Sequence, residues 1–461
     1  MPYRDVRGGF ERARRTGHVA TVVRALAEKA DFYVPAEQVA DLAWLRPRVH
    51  TKTSLAASTE TRLEHAIAVD GSRQVVEARP GLPSVQYGYV QAAAVYLDLE
   101  AVESQRAERF VDPVVLHRAS RRALVSLDFP TAGAYMRPGM DIRQSWRELV
   151  DARFRRKRID VNGLNQTLLQ LLYLIHGDPE TPASTIDVNC PACGAHAIPV
   201  PSSGRACPTG QCGERLFPTD VLGLQEEVVE DGSNESPLTR LMQTVELLIL
   251  LGLMTLLWRS ARDEYLTRTL FILDGPLALY GPGAPVMRRA LEFVQQMART
   301  MPGLGPYVCG AEKTGTFVDY ARAIARHDGL KPGELLDVDA EVIGHITNSP
   351  HPQQYGKDDY WGRKFFYRCL DGRTLVLTVP PAQGAAYDRH GGQPDPSAYP
   401  ILPGVLDVID RTGSAMYQDA IIPIALAHGA AAYPIGVGTD VLKLVAKRKL
   451  GLDQASCPDR G

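Results

Sequence analysis

The 461-residue sequence predicts a mixed α/β fold, a sheet flanked by helices, on three observations. Two short apolar runs, Ala66-Ile-Ala-Val-Asp70-Gly-Ser and Thr269-Leu-Phe-Ile-Leu-Asp274-Gly-Pro, read as buried strands closed by turn dipeptides. A long apolar helix precedes the second run, the order that builds α/β layers. Between the two runs, residues 186 to 230 are short-patterned, turn-rich and cysteine-bearing, as an inserted module would be.

Residues 1–60 read as an N-terminal helical arm, because Val22 to Ala30 carries apolar residues at helical spacing with no glycine between them. Residues 61–130 hold the first part of the sheet, with the strand ending at Asp70-Gly71 and a second strand over Tyr87 to Leu97. Residues 131–237 form the insertion: basic helices over Arg143 to Arg158 and Leu164 to Leu174, then the cysteine segment. Residues 238–461 hold the second part of the sheet domain. It begins with a helix from Leu238 to about Leu266 and the strand ending at Asp274. The spacing then predicts a helix over Pro285 to Thr300, a strand at Tyr307 to Cys309 and a helix over Phe317 to Arg326. Strands at Arg363 to Leu370 and Thr374 to Val379 follow, with a helix from about Gln418 to Ala431, and the Gly/Pro-rich stretch Gln383 to Pro403 reads as a surface loop.

A chain of this length can bury a large core, and 45% hydrophobic with 23% charged residues is the composition of a globular protein. With a formal net charge of −2, a polyanionic partner would have to be held by local clusters. Arg153, Arg155, Arg156, Lys157 and Arg158 form one, and Lys443, Lys447, Arg448 and Lys449 another; each also reads as a solvated helix face. The N-terminal residues lack the apolar core of a secretion signal, so a reducing, cytoplasmic location is expected. The run Val245 to Trp258 falls short of a membrane span and contains Glu246, which makes it a core helix.

Cys190-Pro-Ala-Cys193 and Cys207-Pro-Thr-Gly-Gln-Cys212 are two thiol pairs, each trailed by a glycine that permits a tight turn. Such pairs place four sulfurs tetrahedrally, which suits a closed, structural zinc site. Disulfides are the alternative, disfavoured in a reducing compartment. Cys309, Cys369 and Cys457 stand alone as ordinary thiols.

Asp70 and Asp274 each end an apolar run and precede glycine, so neighbouring strands could bring them to one divalent cation. Asp-Gly is also a turn sequence in its own right. Glu246, inside so apolar a helix, is costly unless it meets a cation or a partner such as Arg240.

In order along the chain, Val69-Asp-Gly-Ser72, Ile272-Leu-Asp-Gly-Pro-Leu277, Gly310-Ala-Glu-Lys-Thr-Gly315 and the Ala427-His428 helix resemble the motifs of the NurA nuclease family. The resemblance covers about 65–100 and 240–445, leaving the cysteine segment as an insertion. It implies an RNase H-like fold with an inserted zinc-ribbon module, and a manganese-dependent DNA nuclease, magnesium being the other ion. It further implies a homodimer and a HerA-type hexameric translocase as partner. By that resemblance Asp70, Asp274 and His428 would hold the metal and Glu246 would be the accompanying acid, with Asp263 or Glu264 as alternatives. Lys313 would neutralise a phosphate. The family's tyrosine before the histidine has no direct counterpart here: Tyr417 precedes His428, and Tyr433 follows it. Two other readings stay open. One is a non-catalytic DNA-binding adaptor of a ring ATPase with a degenerate metal site, and the other is a different metal-dependent phosphoesterase.

Overall fold

Thirteen-residue strands are long for a globular protein, and three of them, all antiparallel neighbours, form the part of the fold that carries the site. The computed structural model describes residues 42–55, 62–78, 85–106, 120–161, 164–260, 263–301, 303–349, 351–352, 355–356, 359–382, 398–414, 420–432 and 437–452. The chain divides into two units, Met1–Arg46 and Pro47–Gly461. The expected helical arm falls mostly outside the described residues. Within its span, Val49–Thr51 is a strand, β1, and not helix.

The second unit contains a nine-stranded mixed sheet. Its strands are β1, β2 (His65–Glu77), β3 (Gln86–Asp98), β4 (Ser120–Ala132), β5 (Thr269–Asp274), β6 (Tyr307–Glu312), β7 (Glu334–Asp337), β8 (Arg363–Arg368) and β9 (Thr374–Val379). Their order is β1-β7-β8-β9-β6-β5-β2-β3-β4. β2, β3 and β4 make an antiparallel meander, β5 runs parallel to both β2 and β6, and the remaining pairs are antiparallel.

The Asp70-Gly71 dipeptide is not a turn. β2 continues through it to Glu77, with Asp70 opposite Ala93 and Gly71 opposite Ala92 on β3. The unbroken ladder with β3, beside β5 whose own pairing reaches Val69, overrides the local turn preference of Asp-Gly. β4 runs just past the expected end of the first sheet segment at 130, and its alternation places Ala123, Val125, Leu127 and Phe129 in the core.

Helices cover both faces. On one lie α1 (Ile142–Arg156), α2 (Leu168–His176), α3 (Glu235–Arg259), α4 (Ala284–Thr300) and α5 (Thr316–Arg326). On the other lie α6 (Leu402–Arg411), α7 (Ile422–Ala431) and α8 (Val437–Lys449). α3 rests on β2, β3 and β5 with other helices behind it, and from Thr244 to Thr255 it is buried all round, which its run of apolar residues there permits. Among the described residues it is the one helix long and apolar enough to cross a membrane, and 72% of that stretch is buried inside the protein. Residues Leu247 to Leu251 are fully or almost fully buried, each contributing about 1.5–3 kcal/mol of transfer free energy. The predicted single helix to Leu266 instead ends at Arg259, and a separate short helix spans Asp263–Thr267. Likewise Leu164–Thr167 is a strand, and α2 starts after it behind a capping box made by Thr167 and Gln170.

The cysteine segment folds as two antiparallel hairpins, Thr185–Val188 with Ile198–Pro201 and Arg205–Ala206 with Arg215–Leu216. Ile186, Val188, Ile198, Val200 and Leu216 join the same apolar core as α1, α2 and α3. Arg147 of α1 grips the segment from beneath, with a two-pronged pair to Asp220 at 2.8 Å and a third contact to Glu214 at 2.6 Å.

Candidate metal centres

Parallel pairing of β2 with β5 puts Val69 opposite Leu273, so the next residues, Asp70 and Asp274, stand side by side at the level where β5 ends. Both belong to the face covered by α7: Ala66, Ala68, Leu270 and Ile272, at even spacing from them, pack against Ile424 and Ala427. One turn further along α7, His428 presents Nδ1 to Asp70 Oδ2 at 2.7 Å. A ligand atom each from Asp70, Asp274 and His428 lies within 4.8 Å of the others. Lys313, just beyond β6, donates to Asp274 Oδ2 at 2.6 Å.

Glu246 comes from the opposite face. It is fully enclosed in α3 and has no salt bridge among the described residues; Arg240, its candidate partner, pairs with Glu227 at 3.3 Å instead. Its carboxylate reaches the site through Gly71, where a β-carbon would sit 2.2 Å from Glu246 Oε1; the Gly71 N–H itself donates to Asp70 Oδ1 at 2.8 Å. Gly310 on β6 plays the corresponding part for the chain leaving Asp274, since a β-carbon there would meet the Gly275 carbonyl at 2.4 Å. Neither glycine was singled out for such a role from sequence. A glycine inside an otherwise apolar strand is the signal that marks such close approaches. Of the alternative acids, Glu264 is exposed and pairs with Arg268, and the side chain of Asp263 lies outside the described residues. Tyr417 and Tyr433 also lie outside them.

Three carboxylates thus converge with one lysine and one histidine. Burial, then the neighbouring Asp274 charge, pushes Asp70 up to about 7 against the opposing pull of His428 and Lys313. Burial, then Asp70 and Asp274, raises Glu246 well above the ordinary carboxylate range. Such a buried surplus of negative charge is the environment a divalent cation relieves, and oxygen donors with one imidazole fit a hard or borderline cation.

A second pair missed from sequence lies next to Lys313, where Lys364 of β8 pairs with Glu312 at the end of β6. Lys364 is buried and Glu312 half-buried, and this desolvation lowers the lysine and raises the acid, while the ammonium lies 4.6 Å and 4.8 Å from the ring centroids of Phe317 and Tyr360. Burial of a lysine on an even-spaced strand position was the available signal.

The four thiols of the hairpin segment also converge. Cys190 and Cys212 Sγ are 3.8 Å apart, Cys193 and Cys207 Sγ 3.7 Å, and all four lie within 4.8 Å of one another. A tetrahedron with metal–sulfur bonds of about 2.3 Å has sulfurs about 3.8 Å apart, so the donor set fits a metal ion. Gly194 and Gly213, each directly after a cysteine, have φ of 72° and 61°, the left-handed conformation these turns require. Hydrogen bonds from the backbone and hydroxyl of Thr209 draw Cys207 down to about 7, toward the thiolate form. None of the six described cysteines forms a disulfide.

No family model matches the sequence, and no curated protein does. Solved structures are similar at low identity. The NurA nuclease from Sulfolobus solfataricus is 10% identical, over 96% of this chain and 98% of its own, with a TM-score of 0.35. A second NurA structure is 10% identical over 97% of each chain at 0.30. A structure of NurA with manganese is 10% identical over 94% of this chain and 98% of its own at 0.28. At these values the function has to be read from the site's own residues.

Proposed function

We propose that this protein is a divalent-metal-dependent nuclease that hydrolyses DNA phosphodiesters at the Asp70–Asp274–Glu246–His428 site. The observation that carries the reading is the pairing of β2 with β5, which sets two aspartates side by side while Gly71 admits a third, enclosed carboxylate from the other face. The connectivity β4-β3-β2-β5-β6, a meander followed by two parallel strands, supports an RNase H-like sheet.

Asp70 and Asp274 would hold manganese or magnesium, with His428 as the nitrogen donor. A bound divalent ion supplies Lewis acidity for activating water and stabilising the leaving oxygen. Asp70 fixes the His428 ring through Nδ1, and Glu246, lodged against Gly71, would supply further negative charge from the opposite face. Lys313, already beside Asp274, is placed to neutralise a non-bridging phosphate oxygen. The four-cysteine cluster would hold structural zinc.

A homodimer working with a HerA-type hexameric ATPase, in the cytoplasm and in DNA end processing or defence against foreign DNA, extends this reading on the strength of the motif resemblance. The test is release of product from a labelled single strand with manganese, with magnesium and without divalent ion. Strong DNA binding with no metal-dependent release by folded protein would establish the adaptor instead.

A further inference from the structure

The two basic clusters, almost 300 residues apart in sequence, meet at one carboxylate. Asp128 on β4 accepts from Arg153 Nη2 of α1 at 2.9 Å and is also hydrogen-bonded by Lys449 of α8 and by the hydroxyl of Tyr87. α8 is seated there by Leu442 and Ala446, which pack on Val76 and Tyr87. α1 approaches from the opposite face, so its C-terminal end reaches round β4, the last strand of the sheet.

Basic residues at a helix C-terminus favour the helix dipole, which explains each cluster alone. It does not explain two such ends brought together. Nine cations, Arg153, Arg155, Arg156, Lys157, Arg158, Lys443, Lys447, Arg448 and Lys449, lie on the two segments that Asp128 joins, and the carboxylates they pair with are Asp128, Asp151 and Asp440, in a chain of net charge −2. Arg156 and Arg448 are exposed, and they, Lys157 and Lys447 have no ion-pair partner among the described residues. Val76 is an even number of residues beyond Asp70 on β2, so α8 lies on the face that carries Asp70 and His428. Asp128 pairs across β3 with the level of Gln74, four residues beyond Asp70 and two strands over, about 13 Å along the strands and about 10 Å across them, or about 16 Å in all. That is the length of about five base pairs of duplex.

We propose that this joint patch binds the phosphate backbone of the nucleic acid whose phosphodiester is presented at Asp70 and Asp274. The inference rests on the nuclease reading for its substrate class. Its geometry requires that contacts at the patch add affinity for polymers and leave the chemistry untouched.

The test compares full-length protein with the triple variant Arg156→Gln, Lys447→Gln, Arg448→Gln, none of which touches Asp128. Binding of a labelled thirty-residue single strand, the matching duplex and a labelled polyglutamate is measured from low to high salt, with Asp274→Asn in both proteins to prevent cleavage. Hydrolysis of bis(p-nitrophenyl) phosphate, too small to reach the patch, is measured with Asp274 intact. The triple variant is expected to bind DNA roughly tenfold or more weakly, with a salt slope shallower by about two to three, and to hydrolyse the small diester unchanged. Equal affinity and slope in the two proteins would overturn the patch, as would polyglutamate binding that matches DNA binding, which would mean an acidic protein partner. Wild-type protein inert toward the small diester with every divalent ion would defeat the nuclease reading, while the binding comparison would still judge the patch.

Discussion

Glu246 occupies the space that a side chain at Gly71 would need: its Oε1 stands 2.2 Å from where a β-carbon would be. Gly71 lies within a regular strand, and its φ is not in the left-handed range, so the backbone does not demand glycine; the carboxylate does. Gly71→Ala should therefore push Glu246 away from the Asp70–Asp274 pair. Because Glu246 Oε1 ends a flexible side chain but Met242 Cγ also stands at 2.7 Å, about 1–3 kcal/mol of stability should be lost. Metal-dependent turnover should fall much further, by about a hundredfold. A melting curve beside a rate measurement separates the two, and a folded Gly71→Ala protein with near-normal rate would remove Glu246 from the site.

Asp70→Asn and Asp274→Asn should each abolish metal-dependent cleavage while the melting temperature in metal-free buffer holds or rises. Each keeps the shape but removes one of three mutually repelling charges. Manganese should raise the melting temperature of the wild-type protein and of neither variant.

Burial of Asp70, with the neighbouring Asp274 charge, sets a pH dependence. Asp70 is raised from 3.8 to about 7 in the folded protein, so between those values the native state keeps a proton that the unfolded chain has lost. Stability of the metal-free wild type should then fall as pH rises from about 4 to 7. Asp70→Asn should flatten that stretch of the profile, measured by denaturant melts across pH. An unchanged profile would show that Asp70 is not the group responsible.

His428→Ala and Lys313→Met should differ in kind. His428 is a neutral donor on an exposed ring, so its loss should weaken manganese affinity and lower the rate less than loss of either aspartate. Among the described residues Lys313 is the ammonium paired with Asp274, so removing it should leave manganese binding equal or tighter and slow the step in which phosphate charge grows. Metal titrations followed by melting, beside initial rates at saturating metal, resolve the two.

Cys193→Ser should cost the protein its zinc and open the hairpins around residues 185–216 to hydrogen exchange. Arg147, locked to Asp220 and Glu214, should keep the segment attached to α1, so cleavage by the carboxylate site should persist. Elemental analysis finding one zinc per chain in the wild type and none in the variant is the expected result; no zinc in the wild type would remove the assignment.

Local chemistry was enough to mark the pieces of these sites before any fold was known. Cysteine spacing with trailing glycines implied a four-sulfur cluster, because tight turns are decided by a few neighbouring residues. Apolar runs ending in aspartate marked two buried strands, and a glutamate inside α3 stood out because an enclosed charge needs a reason. The motif order pointed to a nuclease. What the sequence could not carry was how the pieces meet. Asp70-Gly71 reads as a turn until β3 pairs with it and carries β2 straight through. Gly71 reads as a turn former until α3 brings Glu246 against it. Arg153 and Lys449 read as separate helix ends until β4 offers both the same carboxylate. Each of these outcomes depends on pairing and packing between segments up to some 300 residues apart, and local preferences of about 1 kcal/mol yield to such contacts.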